Sequence, residues 1–318
     1  MRSLFGAEKA EPSPMALRKL LAEAIFMHLL RPSAVALCAF ALLSFTSPVR
    51  AADSDWQKSY PVSAKPSLSV STGDSSTEVR SCGSCREIRI RVEWRDRRAS
   101  EYNLVESQSG DHVEFVLHEK QRIGFRMNLG NRREPHVTVD TPASLDLEAR
   151  TSDGALSVTG VQGELQLRTS DGSLDASDVS GALSITASDG SIRVHNASGT
   201  LESHSSDGSV RIDGRFSGVQ VKTSDGSLDF TLAEGSKLTT ASRIESSDGS
   251  VAIHLPRSLS ADMEIHTGDG HIDCKLPLTM EGYNSSGDSH HNLRGRLNGG
   301  GVPLDIHTQD GSVTIAAI

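Results

Sequence analysis

An Asp-Gly pair recurs eight times in one setting, flanked on both sides by alternating apolar or small residues, with the aspartates at 153, 171, 189, 207, 225, 248, 269 and 310. The first five are 18 residues apart. A fixed period with alternating apolar positions around a turn signal marks an array of stacked repeats, each burying its apolar face only against its neighbours. The chain is therefore predicted to be all-β, a β-solenoid of roughly 18-residue coils with two short strands per coil.

Aligning the coils on their aspartates gives the inward positions. The first full coil has Leu156, Val158, Val161, Leu165, Leu167 and Thr169; the second has Leu174, Ala176, Val179, Leu183, Ile185 and Ala187; the third has Ile192, Val194, Ala197, Leu201, Ser203 and Ser205. Spacing of two within each cluster is strand periodicity, so the intervening residues point outward. Glycine-containing turns such as Gly160–Gly163 and Asp178–Gly181 join the two strands. The inward spacing breaks the every-sixth-residue rule of left-handed hexapeptide helices, and 18 residues is short for the three-sheet coils of pectate-lyase-like helices. Neither enzyme family is supported by the period.

Regularity fades after Asp225, where the next gaps are 23, 21 and 41 residues. The last gap holds a Gly-, Ser- and His-rich stretch, 278–301, read as a loop before a closing coil at Leu304–Ile315. Leu68, Val70, Thr72 and Asp74 reproduce the coil pattern upstream, so the array begins near Pro61. Residues 61–146 are expected to be irregular early coils and 147–318 the regular repeats.

The N-terminal region reads as a secretory leader over 1–51: basic Arg18, Lys19 and Arg31, an apolar run from Ala34 to Phe45, and Val49 and Ala51 at the small-residue cleavage positions. That run is short for a membrane span. A linker over 52–60 would follow. The expected location is exported, in the periplasm, envelope or cell surface, and the alternative is an uncleaved N-terminal anchor. Net charge is −9, which argues against nucleic acid as partner. Aromatic residues are only 4%, as suits a narrow stack filled by Val, Ile, Leu and small side chains.

Without the leader three cysteines remain. Cys82 and Cys85 are spaced for a local structural disulfide and lack the βαβ setting of a redox pair, which leaves Cys274 over. The aligned carboxylates of Asp153, Asp171, Asp189, Asp207 and Asp225 form a column whose neighbours repel by about 1 kcal/mol each in water. Local turn bonding is the first explanation, with each carboxylate accepting backbone N–H groups and each glycine taking a positive φ. The second is Ca²⁺ between coils, although the nonapeptide motif of Ca²⁺-binding solenoids is missing. No cofactor is expected, and no nucleophile elbow, zinc-protease or phosphate-loop motif occurs. His290–His291 reads as a solvated pair in the 278–301 stretch.

An outward column lies three residues before each aspartate: Arg150, Arg168, Thr186, His204 and Lys222, interrupted by Glu245. Its basic members make a stripe suited to an acidic glycan or lipid headgroups, against the simpler reading of a solvated face.

From about Tyr60 to the C-terminus the pattern resembles the bacterial putative-adhesin domains of unknown function. Lys65 to Thr72, the Ser-Asp-Gly-Ser repeats and Leu297-Asn-Gly-Gly-Gly301 carry the resemblance. It implies an exported β-solenoid and supplies no defined ligand; Cys82, Cys85 and Gly268-Asp-Gly-His271 depart from it. The expected function is non-enzymatic, adhesion, binding or scaffolding at the envelope, with an envelope component, an acidic glycan or another protein as partner and self-association through the solenoid ends as a further route. The alternative is a polysaccharide-acting enzyme on a β-helix scaffold.

Overall fold

The computed structural model describes residues 54–120, 133–279 and 291–318. The expected leader and His290 lie outside them. In chain order the strands are β1 (Trp56–Pro61), β2 (Ser67–Thr72), β3 (Ser76–Ser81), β4 (Glu87–Glu93), β5 (Tyr102–Ser109), β6 (His112–Glu119), β7 (His136–Thr141), β8 (Asp146–Arg150), β9 (Leu156–Thr159), β10 (Gln162–Thr169) and β11 (Leu174–Ser177). They continue as β12 (Ser180–Ala187), β13 (Ile192–Ser205), β14 (Val210–Thr223), β15 (Leu228–Leu232), β16 (Ser242–Ser246), β17 (Val251–Leu255), β18 (Ala261–Thr267), β19 (Ile272–Cys274), β20 (Asn292–Leu297), β21 (Val302–Thr308) and β22 (Val313–Ala317).

Each coil sends one strand to each of two facing sheets, and in the regular repeats the two strands are joined at the Asp-Gly corner. The first sheet runs β5–β6–β2–β8–β10–β12–β13–β14–β16–β21–β18–β20. The second runs β1–β4–β7–β3–β9–β11–β13–β14–β15–β17–β22–β19. The long strands β13 and β14 bend through the corner opposite the Asp-Gly turns and serve both sheets, with register shifts around Val194–Ala197 and Gly199–Thr200. Every inward residue named for the three regular coils is buried, so the 18-residue register forms one continuous core.

The coils do not stack in chain order at the ends. Coil β2–β3 is inserted between β6–β7 and β8–β9, and the final coil β21–β22 is inserted between β16–β17 and β18–β19. The early region, expected as irregular coils, thus contains two coils of the stack plus an antiparallel excursion. The expected linker over 52–60 is largely strand: β1 pairs antiparallel with β4. The stretch 278–301 is not all loop either, because β20 pairs antiparallel with β18 along its whole length.

Bulky rings close the first end. Trp56 packs on Phe115 with centroids 5.6 Å apart and Trp94 on Tyr102 at 5.7 Å, while the hydroxyls of Tyr60 and Tyr102 donate to Glu106 and Glu134 at 2.9 and 2.8 Å. Both tryptophans of the chain lie here, where among the described residues no further coil covers the core. A disulfide joins Cys82 and Cys85, Cα atoms 5.9 Å apart, in the crossing from β3 over the end of β7 to β4. The remaining thiol, Cys274, occupies an inward position of β19, the outermost strand of the second sheet at the other end. It is half-buried for want of a covering strand, and desolvation pushes its pKa up.

The Asp-Gly corner is held by backbone. The N–H groups of Ser170, Asp171 and Gly172 all donate to the Ser152 carbonyl, at 3.2, 3.1 and 3.2 Å, and the next coil repeats the arrangement on Ser170. Asp207, Asp225, Asp248 and Asp310 donate at 3.0 Å to the carbonyls of Ser188, Ser206, Ser224 and Ser247. The expected carboxylate bonds are not what fixes the turn: among the described residues the side chains of Asp153, Asp171, Asp189, Asp207 and Asp225 accept no hydrogen bond and stand in solvent. Nor do the glycines have positive φ at these corners. They are required by close approach: a Cβ on Gly172, Gly190, Gly208, Gly226 or Gly249 would lie 1.9–2.1 Å from the carbonyl oxygen of the preceding glycine in the stack. Positive φ matters at the opposite corner, at Gly163, Gly181 and Gly199.

Inside several corners a small hydroxyl residue closes the turn, whereas Ala187 holds that place at the Asp189 corner and the buried Thr223 hydroxyl at the Asp225 corner has no partner. The Thr169 and Ser246 hydroxyls donate to the carbonyls of Gly172 and Gly249, at 3.1 and 3.2 Å, and Thr308 accepts from the Gly311 N–H at 3.2 Å. Ser203 is different. Its column neighbours are Ile185 and Val221, it is fully buried, and its hydroxyl has no partner.

Three outcomes are expected. Gly190→Ala should lower stability by about 2–3 kcal/mol through the clash with the Gly172 carbonyl, whereas Ser188→Ala on the exposed side of the same corner is near neutral, as paired urea melts will show. Ser203→Ala should raise stability by about 1 kcal/mol, because it deletes an unpaired buried hydroxyl without adding volume. Excess EDTA should leave the melting temperature of the calcium-equilibrated protein unchanged, since backbone bonds hold the corners; a drop reversed by Ca²⁺ would overturn that account.

Candidate binding face

Outward residues of the first sheet line up in columns because consecutive strands pair in register. Nearest the Asp-Gly corner, neighbours in the column run Ser71, Arg150, Arg168, Thr186, His204, Lys222, Glu245, His307 and His266. The predicted stripe of Arg150, Arg168, His204 and Lys222 is thus brought together on five adjacent strands, about 4.8 Å apart. All four side chains are exposed. Arg150 pairs with Glu148 on its own strand, and Lys222 approaches Glu245 at 4.0 Å. Arg168 and His204 have no ion-pair partner among the described residues, and Thr186 lies between them. Beyond Glu245 the column ends in His307 and His266, whose rings stack with centroids 4.9 Å apart.

The next column carries Glu148, Gln166, Ser184, Glu202, Gln220 and Arg243. Beside it runs a row of short side chains, Ala182, Thr200, Gly218 and Ala241, where coils on either side place Glu164 and Pro303. The shortfall of volume opens a shallow groove of about 570 Å³ that crosses four strands, lined by Gln166, Ser184, Glu202 and Gln220 along one flank. Its end wall comes from the break in period. The 23-residue spacing between Asp225 and Asp248 adds residues to that coil, and Thr239 and Thr240 fold onto the Ser217 carbonyl through their N–H groups at 2.8 and 3.3 Å. Thr240 then stands over Gly218, where a Cβ would lie 2.3 Å from its hydroxyl oxygen.

Sequence reasoning found the basic column and missed this groove. The signal was present: a small residue seven positions before the aspartate in consecutive repeats, followed by the lengthened coil. The Asp153, Asp171, Asp189, Asp207 and Asp225 column lies along the corner, one exposed carboxylate per coil, and among the described residues no three His, Cys, Asp or Glu side chains are grouped to hold a metal ion. On the second sheet Arg193 and Arg211 are neighbours, and each is answered by a carboxylate on its other side. Asp175 faces Arg193 at 3.8 Å, Arg211 faces Asp229 at 3.1 Å, and His195 pairs with Asp213 at 2.8 Å, which raises the imidazole pKa. That face is self-neutralised. The ends of the stack are bounded by β5 and β1 on one side and by β20 and β19 on the other, with Val105 of β5 fully outward at 59% exposure.

No curated protein matches the chain. Among solved structures it is similar to a putative cell adhesion protein from Clostridium sporogenes, at 12% identity over 83% of this chain and 100% of that one with a TM-score of 0.27. It is likewise similar to a putative adhesin from Bacteroides fragilis, at 11% identity over 83% and 97% of the two chains with a TM-score of 0.38. A third, a putative adhesin from Parabacteroides merdae, shows 14% identity over 82% and 96% with a TM-score of 0.30. The interleaved coils run from the first inserted coil at Ser67 to the last strand at Ala317, and over residues 67–316 the sequence matches the Toastrack DUF4097 model; the chain belongs to this family.

Proposed function

We propose that this chain is an exported, non-enzymatic β-solenoid of the cell envelope or surface that binds an anionic envelope component through the outer face of its first sheet. The observation that carries the reading is the register itself: Arg150, Arg168, His204 and Lys222 share one solvent-facing column, with Arg168 and His204 free of ion-pair partners. Arginine and lysine side chains spaced along a rigid sheet hold a repeating anion without any cost of ordering the backbone, since the strands beneath them are fixed by pairing on both sides. Arg193 and Arg211 on the second sheet are each answered by a carboxylate of an adjoining strand, whereas Arg168 on the first sheet has no ion-pair partner among the described residues, which supports this face over the other. The leader-like segment over 1–51 supports export.

The mature chain is expected to be retained on an anionic glycan matrix at low salt and released as ionic strength approaches about 1 M, where screening acts within about 3 Å. Arg168→Glu with Lys222→Glu should abolish retention while leaving the melting temperature within a degree or two, because both side chains are solvent-facing. Retention insensitive to salt and to the double reversal would eliminate this face.

A further inference from the structure

The groove beside the basic column has a direction, and that direction restricts what can lie in it. It runs along the stack axis, across four strands, from Gln166 on β10 past Ser184 on β12 and Glu202 on β13 to Gln220 on β14, where Thr240 closes it. A peptide adding itself as a strand would run with the strands and needs a free edge, yet every strand here is paired on both sides. A lipid tail needs an apolar trough. Here Leu183, Leu201 and Val219 beneath the floor are buried, and the flanks are amide, hydroxyl and carboxylate. A nucleic acid would bring phosphates against Glu164 and Glu202.

What remains complementary is a chain with hydroxyls along one edge. Gln166, Ser184, Glu202 and Gln220 offer donors and acceptors at one-strand intervals, about 4.8 Å apart. That interval is comparable to the advance of one sugar in an extended glycan. Gln166 and Gln220 are held upright by their own contacts, to the Glu164 carboxylate and the Ala241 carbonyl, each at 3.2 Å, so each keeps its amide oxygen free to accept. The column on the corner side, Arg168, Thr186, His204 and Lys222, lies one alternate residue away on the same strands and supplies positive charge to the ligand's other edge.

We propose that this groove is the ligand site of the chain and that it takes a linear polysaccharide containing uronic acids, laid along the stack axis, its hydroxyl edge on Gln166, Ser184, Glu202 and Gln220 and its carboxylates toward Arg168 and Lys222. The proposal rests on the reading above that this face binds an anionic component, and it adds the polymer's chemistry, orientation and the residues that read it. Small residues at 182 and 200 are then a specificity feature, making room for the sugar rings, while Gly218 makes room for the Thr240 wall.

The test uses the mature chain and three polymers in a binding assay: polygalacturonate, its fully methyl-esterified form, and polyglutamate, which carries carboxylates without sugar hydroxyls. Polygalacturonate should bind at least tenfold more tightly than either of the others. Filling the groove with Ala182→Trp should weaken polygalacturonate binding at least tenfold and leave polyglutamate unchanged. Gln220→Ala, which removes one contact and adds no bulk, should weaken polygalacturonate severalfold and serves if the tryptophan variant misfolds. Equal binding of polygalacturonate and polyglutamate, abolished by the Arg168 and Lys222 reversals and indifferent to Ala182→Trp and Gln220→Ala, would overturn the groove while sparing the basic face. Binding of neither anionic polymer would overturn both.

Discussion

The structure depends on how closely one coil can approach the next at the Asp-Gly corner. Parallel strands about 4.8 Å apart leave no room for a Cβ where the chain turns from one sheet to the other, because the carbonyl of the neighbouring glycine occupies that space. With glycine in the corners of the regular coils, the serine carbonyl of one coil collects the N–H groups of the next, and the two sheets stay in register along them. Register then decides everything downstream. Inward residues meet inward residues to give the continuous core, and outward residues form columns instead of a scattered surface.

A stack of parallel strands has the difficulty that its ends expose both core and strand edges. Both ends solve it by interleaving. The first and last coils of the chain, β2–β3 and β21–β22, are held on both sides by segments that lie elsewhere in the sequence. Antiparallel strands then cover most of what is left: β5 on β6, β4 on β7 with β1 on β4, and β20 on β18. At the first end Trp56, Tyr60, Trp94, Tyr102 and Phe115 add the volume that a further coil would have supplied. Such pairings are distant in sequence, so the end coils complete only after the intervening segments are present, unlike the middle coils, which pair with their immediate neighbours.

The same register builds the candidate site. A repeat that varies at one outward position writes that variation as a line on the sheet, so basic residues become a stripe and small residues become a groove. An added stretch in one coil becomes a wall. No single coil holds the site, and its dimensions follow from the strand spacing.

The sequence by itself determined the coil: period, two strands, inward columns and the four basic residues on one face were legible because they recur at constant spacing, and Leu156, Leu174, Ile192 and Val210 make that alternation plain. It did not determine the order of the coils at the ends. Coil 302–317 carries the same Asp-Gly corner as its neighbours, and its place between β17 and β19 is chosen by pairing of chemically equivalent edges, which leaves no local mark. Nor did periodicity show why the corner glycines are needed, since a residue with ordinary φ looks replaceable until the carbonyl opposite it is located. The groove was hidden for the same reason. Ala182, Thr200, Gly218 and Thr240 are unremarkable one at a time, and only lateral stacking, with Thr240 folded over Gly218, turns missing side-chain volume into a binding surface.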